Sequence, residues 1–139
     1  MDKRRRAREL AVQGLYQLDI QGDEILPRLN EFFEANEPDV QTKNLAAGWC
    51  KKTWNNLAVC DEMITGVATR WNIKRLAMVD RSILRLAVYQ LRFCEDIPPK
   101  VVINEAIELA KKFSTEKSPR FVNGVLDAVL KKLKQEGIR

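Results

Sequence analysis

The amino-acid sequence predicts an all-α protein, a single compact bundle of about seven helices formed by residues 1–139. Apolar residues recur at the three- and four-residue spacing of helices in most segments of the chain. No segment combines strict apolar and polar alternation with turn residues, as strands do. The segment Asp80–Phe93 is apolar on nearly every side, which is typical of a helix at the centre of a bundle.

The N-terminal part of the chain predicts two helices. The first is expected over Asp2–Ile20 and is ended by Gly22, and the second is expected over Ile25–Ala35, before Pro38. The residues expected to face inward are Ala7, Leu10, Ala11, Gly14, Leu15 and Leu18 in the first helix, and Leu29, Phe32 and Phe33 in the second.

The middle of the chain predicts two further helices, over Thr42–Asn55 and Leu57–Trp71, with less sharply defined ends. Trp49 and Trp54 are expected to pack in the core, because large aromatic side chains bury much apolar surface there.

The helix predicted at Asp80–Phe93 has one narrow charged arc. Arg81, Arg85 and Arg92 fall within about 40° of one another on a helical wheel. The exposed strip of this helix is therefore expected to be cationic, although pairing of these arginines with Asp or Glu inside the protein is an alternative.

The C-terminal part of the chain predicts two helices joined by a short polar turn. Pro98–Pro99 precedes the first of them, since proline suits a helix start. The second is expected to begin at Ser118–Pro119, where the hydroxyl could cap free N–H groups. The apolar stripes are Ile103, Ala106, Ile107 and Ala110 in the first helix, and Val122, Val125, Leu126, Val129 and Leu133 in the second.

The residue types present argue against several function classes. Cys50, Cys60 and Cys94 lack CxxC spacing, and there is no histidine, so we expect reduced thiols that fill space in a cytoplasmic protein. No catalytic constellation, metal-ligand cluster, P-loop or GxGxxG motif is present, so we expect neither catalysis nor a cofactor. No apolar run approaches the roughly 20 residues that a membrane span needs.

Charge is distributed unevenly along the chain, although the net charge is only +5. Residues 1–8 carry five basic side chains and one acidic one, and residues 9–47 then have a net charge of −6. Residues 48–139 have a net charge of +7. This asymmetry suits a polyanion on one face and a different partner on another.

Two basic segments are candidates for contact with a polyanion. The run Lys3–Arg8 could be a solvated tail, but it continues into an amphipathic helix that would display its arginines toward phosphates and bases. The turn before the last helix offers Lys117 and Arg120 beside a helix N-terminus, which favours anions. Phe121 could be a residue at the edge of the core or a platform on which a base stacks.

Three blocks of the sequence resemble the NusB family of bacterial transcription antitermination factors. They are NEAIELAKKF with FVNGVLD, RRRARELAVQGLYQLD near the start, and VDRSILRLAVYQL followed by DIPPKVVINEAIELAK. The region from Gly22 to Lys74 matches only in length and hydrophobic rhythm.

The resemblance implies a function in transcription. It implies binding of the single-stranded boxA element of ribosomal RNA leaders together with the ribosomal protein NusE. The complex would act with RNA polymerase and other Nus factors, with a linked role in ribosomal RNA maturation. Family members include monomers and homodimers, so a homodimer is possible by resemblance.

The resemblance also implies site residues. The expected RNA contacts are Arg4, Arg5, Arg6, Arg8, Arg85, Lys117, Arg120 and Phe121. The first four and the turn at Lys117–Phe121 would form a split basic surface on one RNA segment. Asn123 could read a base edge or reflect helix packing beside Gly124.

Tyr16 and Asp80 are the expected contacts with NusE. Tyr16 could instead be a core residue, and Asp80 could instead be an N-cap of the central helix. Lys74 stands where family members often have an acidic residue, which puts the charge pattern of this interface in doubt.

Two other functions compete with antitermination. The first is the RNA-binding module of ribosomal RNA cytosine methyltransferases, which resembles NusB but would require a cofactor-binding α/β domain after Arg139. The second is a protein-only adaptor, in which the arginines serve solubility alone.

Overall fold

The computed structural model describes residues 2–70 and 72–139, and these residues form α-helices and two short 3₁₀ helices without any strand. The all-α prediction and the number of helices are thereby confirmed. The helices are α1 (Lys3–Gln21), α2 (Leu29–Asn36), α3 (Val40–Asn55), α4 (Leu57–Val67), α5 (Met78–Phe93), α6 (Pro99–Phe113) and α7 (Ser118–Gln135).

The chain divides into two compact units, an N-terminal unit of Met1–Asn55 and a C-terminal unit of Asn56–Arg139. In the N-terminal unit, α1 packs against α3, and α2 contacts both of these helices. In the C-terminal unit, α5 packs against α4, α6 and α7, and α7 also contacts α4 and α6. That residues 1–139 form one domain stays a prediction.

The first helix forms as its sequence predicts. The Asp2 side chain caps it by accepting a hydrogen bond of 2.8 Å from the amide of Arg4, and Gly22, at a φ of 80°, ends it. Every residue predicted to face inward from α1 is buried. Gly14 is required there by packing, because a Cβ at this position would lie 2.8 Å from the Sγ of Cys50 on α3.

The second predicted helix is wrong in its first half. Asp23–Arg28 forms a 3₁₀ helix, and the α-helix begins only at Leu29. Pro27 explains the difference, since it lacks an amide hydrogen and restricts the residue before it. Leu29 and Phe33 are buried as predicted, whereas Phe32 is half-buried.

The two tryptophans of α3 have different environments. Trp49 is buried, as predicted. Trp54 is only partly covered, and its indole N–H donates to an Asp23 carboxylate oxygen at 2.5 Å. The prediction that Trp54 is a core residue is therefore wrong. The next helix, α4, ends at Val67, and the predicted end at Trp71 lies outside the described residues.

The prediction of a central, almost fully covered helix is confirmed for α5. Eleven of its 16 residues are buried, including polar ones. Its C-terminal end is closed by Arg139, whose guanidinium donates to the carbonyl oxygens of Leu91 at 2.7 Å and Cys94 and Ile97 at 2.9 Å. The apolar stripe predicted for α7 is buried throughout.

Candidate nucleic-acid interface

The arginine-rich start of α1 contains two exposed arginines. Arg4 and Arg5 lie on the first turn of the helix and are exposed. The amide groups at a helix N-terminus carry partial positive charge, which adds to that of the two side chains. Neighbouring Lys3 is engaged within the N-terminal unit, with Nζ 2.9 Å from Gln41 Oε1 and 3.4 Å from Asp39 Oδ1.

The other two arginines predicted to contact RNA are directed into the N-terminal unit. Arg6 donates to the Asn36 carbonyl oxygen at 3.0 Å and to carboxylate oxygens of Glu9 at 3.2 Å and Glu37 at 3.4 Å. Arg8 is buried, and its guanidinium carbon lies 5.1 Å from the ring centroid of Trp49. The structure thus corrects the prediction for Arg8, which lies in the interior, and it places Arg6 in an ion-pair network.

The turn between α6 and α7 displays the second group of predicted residues. Lys117 and Arg120 are exposed, and Phe121 is half-buried. The helix begins at Ser118 and Lys117 precedes it, so the free amides of the first turn of α7 lie beside both cations. The Ser118 hydroxyl does not cap α7, contrary to prediction, because it is directed at Asp80.

A cleft with a volume of about 330 Å³ adjoins this turn, within the C-terminal unit. Arg120, Phe121 and Gly124 line it from α7, and Val67 and Arg70 line it from the end of α4 and the segment after it. It thus combines an aromatic ring and apolar walls with two guanidinium groups. The sequence analysis did not select Arg70, which belongs to no recognisable motif, and it considered Gly124 only for helix packing beside Asn123.

Gly124 is not required by helix packing. A Cβ built at this position would have no atom within 4 Å among the described residues, in contrast to the close contact at Gly14. A glycine inside a helix costs about 0.5–1 kcal/mol relative to alanine. Gly124 therefore leaves open space on the wall of the cleft. The alternative that a glycine at this position serves helix packing is not supported.

Asp80, a predicted partner contact, is buried on the first turn of α5. Its carboxylate accepts hydrogen bonds from the hydroxyls of Ser114 at 2.5 Å and Ser118 at 3.0 Å. The alternative that Asp80 is an N-cap is wrong, because α5 begins at Met78 after the N-cap residue Ala77. Both carboxylate oxygens are thus engaged within the C-terminal unit, and a contact of Asp80 with a partner stays a prediction.

Arg85 is not part of an exposed cationic strip. Its Nε donates to Asp61 Oδ1 at 2.8 Å and its Nη2 donates to Asp61 Oδ2 at 2.9 Å. Arg81 donates to the carbonyl oxygen of Ile73 at 3.1 Å. The structure therefore supports the alternative of pairing within the protein and corrects the predicted RNA contact through Arg85.

Tyr16 lies on the outer face of α1. Its side chain is 37% exposed, so the alternative that it is a core residue is wrong. Ile20, one turn further along α1, is 56% exposed and was not singled out from the sequence. Lys74 is also exposed, in the short 3₁₀ helix Ile73–Arg75 of the C-terminal unit.

The buried thiols are chemically inert in this fold. Burial raises the pKa of Cys50 and of Cys60 to about 12, so both remain protonated and poorly nucleophilic near neutral pH. In residues 2–70 and 72–139, no three His, Cys, Asp or Glu side chains are grouped in a way that could hold a metal ion. Over the same residues, no helix is both long and apolar enough to cross a membrane.

An all-α fold with exposed arginines at one helix start, and with a cationic, aromatic turn beside a cleft, has the features of a nucleic-acid-binding protein. The chain belongs to the NusB family, whose model matches residues 5–131. The predicted family is thereby confirmed, and the match extends through both units.

Individual relatives agree with this assignment. The transcription antitermination protein NusB of Anaeromyxobacter dehalogenans is 47% identical over 128 residues, which cover 91% of this chain and 89% of that one. The structure of T. maritima NusB matches with a TM-score of 0.85 and 38% identity over 98% of both chains. A crystal structure of antitermination factors NusB and NusE in complex with dsRNA matches with a TM-score of 0.80 and 31% identity, covering 95% of this chain and 98% of that one.

Proposed function

We propose that this NusB-family protein is a non-catalytic, cytoplasmic transcription antitermination factor. It binds the single-stranded boxA element of ribosomal RNA leaders together with the ribosomal protein NusE, as part of a transcription elongation complex. The observation that carries the proposal is the turn with Lys117, Arg120 and Phe121 beside the cleft, in a chain of this family. The related structure of antitermination factors NusB and NusE in complex with dsRNA supports RNA and NusE as the partners.

The turn supplies the two kinds of contact that single-stranded RNA requires. Lys117 and Arg120 are exposed next to the N-terminus of α7, where free amides and cationic side chains both favour phosphate. Phe121 borders the cleft and offers a ring on which an unstacked base can lie. Phosphate contacts would set the position of the strand, and the base in the cleft would contribute selectivity.

The cleft suits one base better than a longer segment. Its volume of about 330 Å³ is at the low end of the range of about 300–1,000 Å³ that small-molecule pockets occupy. Its apolar wall can cover the faces of a base, while Arg70 and Arg120 can approach its edge or the adjoining phosphate.

Arg4 and Arg5 provide a second set of phosphate contacts on the N-terminal unit. Both are exposed on an ordered helix and not on a mobile tail, so less conformational entropy is lost when they bind. Arg6 contributes through its bonds to Glu37 and to the Asn36 carbonyl oxygen, which connect the start of α1 to the end of α2.

NusE is proposed to contact the outer face of α1. Tyr16 and Ile20 are exposed and one turn apart, so their side chains lie next to each other on this helix. Tyrosine is enriched in protein interfaces, since it brings a large rigid surface and one hydroxyl. Isolated exposed apolar residues are common, but an adjacent pair indicates a contact surface.

The experiment that tests this function is a titration of fluorescently labelled boxA RNA, followed by anisotropy, with and without the host's NusE. A scrambled RNA of equal length is the control. We expect preferential binding of boxA that becomes tighter with NusE and weaker with rising salt. Equal affinity for both RNAs, unchanged by NusE, would reject specific antitermination and leave only general binding to polyanions.

Filling the cleft is expected to weaken RNA binding without unfolding the protein. Gly124→Leu should place a side chain in the cleft and lower the affinity for boxA RNA about tenfold, because a stacked base contributes roughly 1–3 kcal/mol. Gly124→Ala is the matched control and should raise the free energy of unfolding by about 0.5–1 kcal/mol through its higher helix propensity. The measurements are RNA anisotropy and urea denaturation of each variant. Wild-type affinity in a folded Gly124→Leu protein would show that no base enters the cleft.

A further inference from the structure

A network of hydroxyl groups on a buried carboxylate joins the α6–α7 turn to α5. Asp80 and Ser118 are buried, and Ser118 Oγ lies 3.0 Å from Asp80 Oδ2. Ser114 Oγ lies 2.5 Å from Asp80 Oδ1, a distance typical of a hydroxyl bonded to a carboxylate. Thr115 completes the network, with its hydroxyl oxygen 2.9 Å from Ser118 Oγ and its amide nitrogen 3.3 Å from the same atom.

The carboxylate fixes the direction of the hydrogen bonds that reach it. A carboxylate only accepts, so the hydroxyl protons of Ser114 and Ser118 both point at Asp80. Ser118 Oγ also accepts a hydrogen bond from the Thr115 amide and lies 2.9 Å from the Thr115 hydroxyl oxygen. The Oγ atoms of Ser114 and Ser118 also lie 2.9 Å apart, so the two hydroxyls are close to each other as well as to Asp80. Asp80 and the three hydroxyls therefore form one connected hydrogen-bond network.

The backbone of the turn contains few other constraints on its conformation. The segment between Ser114 and Ser118 has neither glycine nor proline, which are the residues that usually set turn geometry. Backbone hydrogen bonds hold its two ends, from the Ser114 amide to Ala110 and from the Ser118 amide to Thr115. Thr115, Glu116 and Lys117 themselves are exposed. The side-chain bonds to Ser118 and Asp80 are thus the connection between this exposed turn and the interior.

We infer that the Asp80 network, defined as Asp80, Ser114, Thr115 and Ser118, is a positioning device for RNA binding by the turn. The inference rests on the proposed function, in which Lys117 and Arg120 contact phosphate. Asp80 is a positioning residue for RNA binding, and it acts through Ser118. It holds the first turn of α7 so that the two cations and Phe121 are presented together, without an ordering cost on binding.

A double-mutant cycle separates positioning from general stabilisation. Ser118→Ala removes the central hydroxyl and is combined with Lys117→Ala/Arg120→Ala, which removes the cations that the network positions. Ser82→Ala is the matched control, because Ser82 is a buried serine on α5 whose hydroxyl has no hydrogen-bond partner among the described residues. Each protein is titrated with labelled boxA RNA, and amide hydrogen exchange of the turn is followed by mass spectrometry.

We expect Ser118→Ala to weaken RNA binding about five- to tenfold in the wild-type background, because it leaves Asp80 and Thr115 without their shared partner. In the Lys117→Ala/Arg120→Ala background the same substitution should change affinity less than about twofold. Exchange should become faster in the turn with Ser118→Ala and stay unchanged with Ser82→Ala.

The outcomes distinguish the inference from the function on which it rests. An equal loss of affinity from Ser118→Ala in both backgrounds, or no loss in either, would overturn the positioning role alone. Wild-type RNA affinity in Lys117→Ala/Arg120→Ala would overturn the proposed RNA contact of the turn as well as the inference.

Discussion

Replacing Asp61 by alanine is expected to lower the free energy of unfolding by about 2–4 kcal/mol, because it removes one partner of a largely buried ion pair. Asp61 accepts two hydrogen bonds from Arg85, at 2.8 and 2.9 Å, in the fork geometry that makes such pairs strong. The pair joins α4 to α5, the most completely buried helix of the C-terminal unit.

Replacing Arg85 and replacing Asp61 should lower the free energy of unfolding by different amounts. The side chain of Arg85 is 8% exposed and that of Asp61 is 25% exposed. Without Arg85, the Asp61 carboxylate can still be hydrated by water, whereas the guanidinium that remains after Asp61→Ala stays in the interior with its main counter-ion gone. Arg85→Met, which keeps much of the apolar volume, should therefore cost less than Asp61→Ala.

Urea denaturation of the variants measures this difference. Glu62→Ala is the matched control, since it removes the same charge from an exposed neighbouring position on α4. An Asp61→Ala protein as stable as Glu62→Ala would mean that the ion pair contributes nothing. Folded Arg85→Met should keep the RNA affinity of the wild type within about twofold, as a residue outside the interface would.

Helical periodicity was sufficient to predict most of the fold. The inward stripes of α1 and α7 and the almost complete burial of α5 follow from the spacing of apolar residues, which depends on local geometry alone. The errors lie where a local feature was underestimated. The segment that contains Pro27 forms a 3₁₀ helix where an α-helix was predicted. The indole N–H of Trp54 donates a hydrogen bond to Asp23, so this side chain is not in the core.

The candidate site was harder to predict, because a helical wheel gives the direction of a side chain but not its partner. Arg85 falls on the polar side of its helix, yet Asp61, which is 24 residues earlier, covers it. Asp80 faces two serines that are 34 and 38 residues later in the chain. These pairings exist only in the tertiary structure, so the sequence could indicate basic and acidic candidates but not which of them stay exposed.

For the arginine run at the start of α1, too, the sequence does not show which side chains stay exposed. Its residues are consecutive on a helix, so they point in different directions about 100° apart. Arg8 therefore enters the interior beside Trp49, whereas Arg4 and Arg5 are exposed. Of the four arginines predicted to contact RNA, the two earliest are the ones that the structure leaves accessible, and the strongest effect on RNA binding is expected from them.

Replacing Arg4 and Arg5 together by alanine is expected to lower the affinity for boxA RNA about 10–30-fold near 0.1 M salt. Each phosphate contact with a single strand contributes about 0.7 to the slope of log affinity against log salt, so the slope should become less negative by about 1.4. The free energy of unfolding should change little, since both side chains are exposed and Asp2 still caps the helix through its bond to the amide of residue 4.

The control for this prediction is Lys131→Ala/Lys134→Ala, which removes two exposed positive charges from the last turns of α7. It changes the net charge by the same amount, so long-range electrostatic attraction is lowered similarly in both proteins. Anisotropy titrations at four or more salt concentrations then compare the slopes. Equal slopes in the two double variants would show that Arg4 and Arg5 act through net charge alone. A slope that becomes less negative only in the α1 variant indicates direct contact with phosphate, because only bound cations release counterions from the RNA.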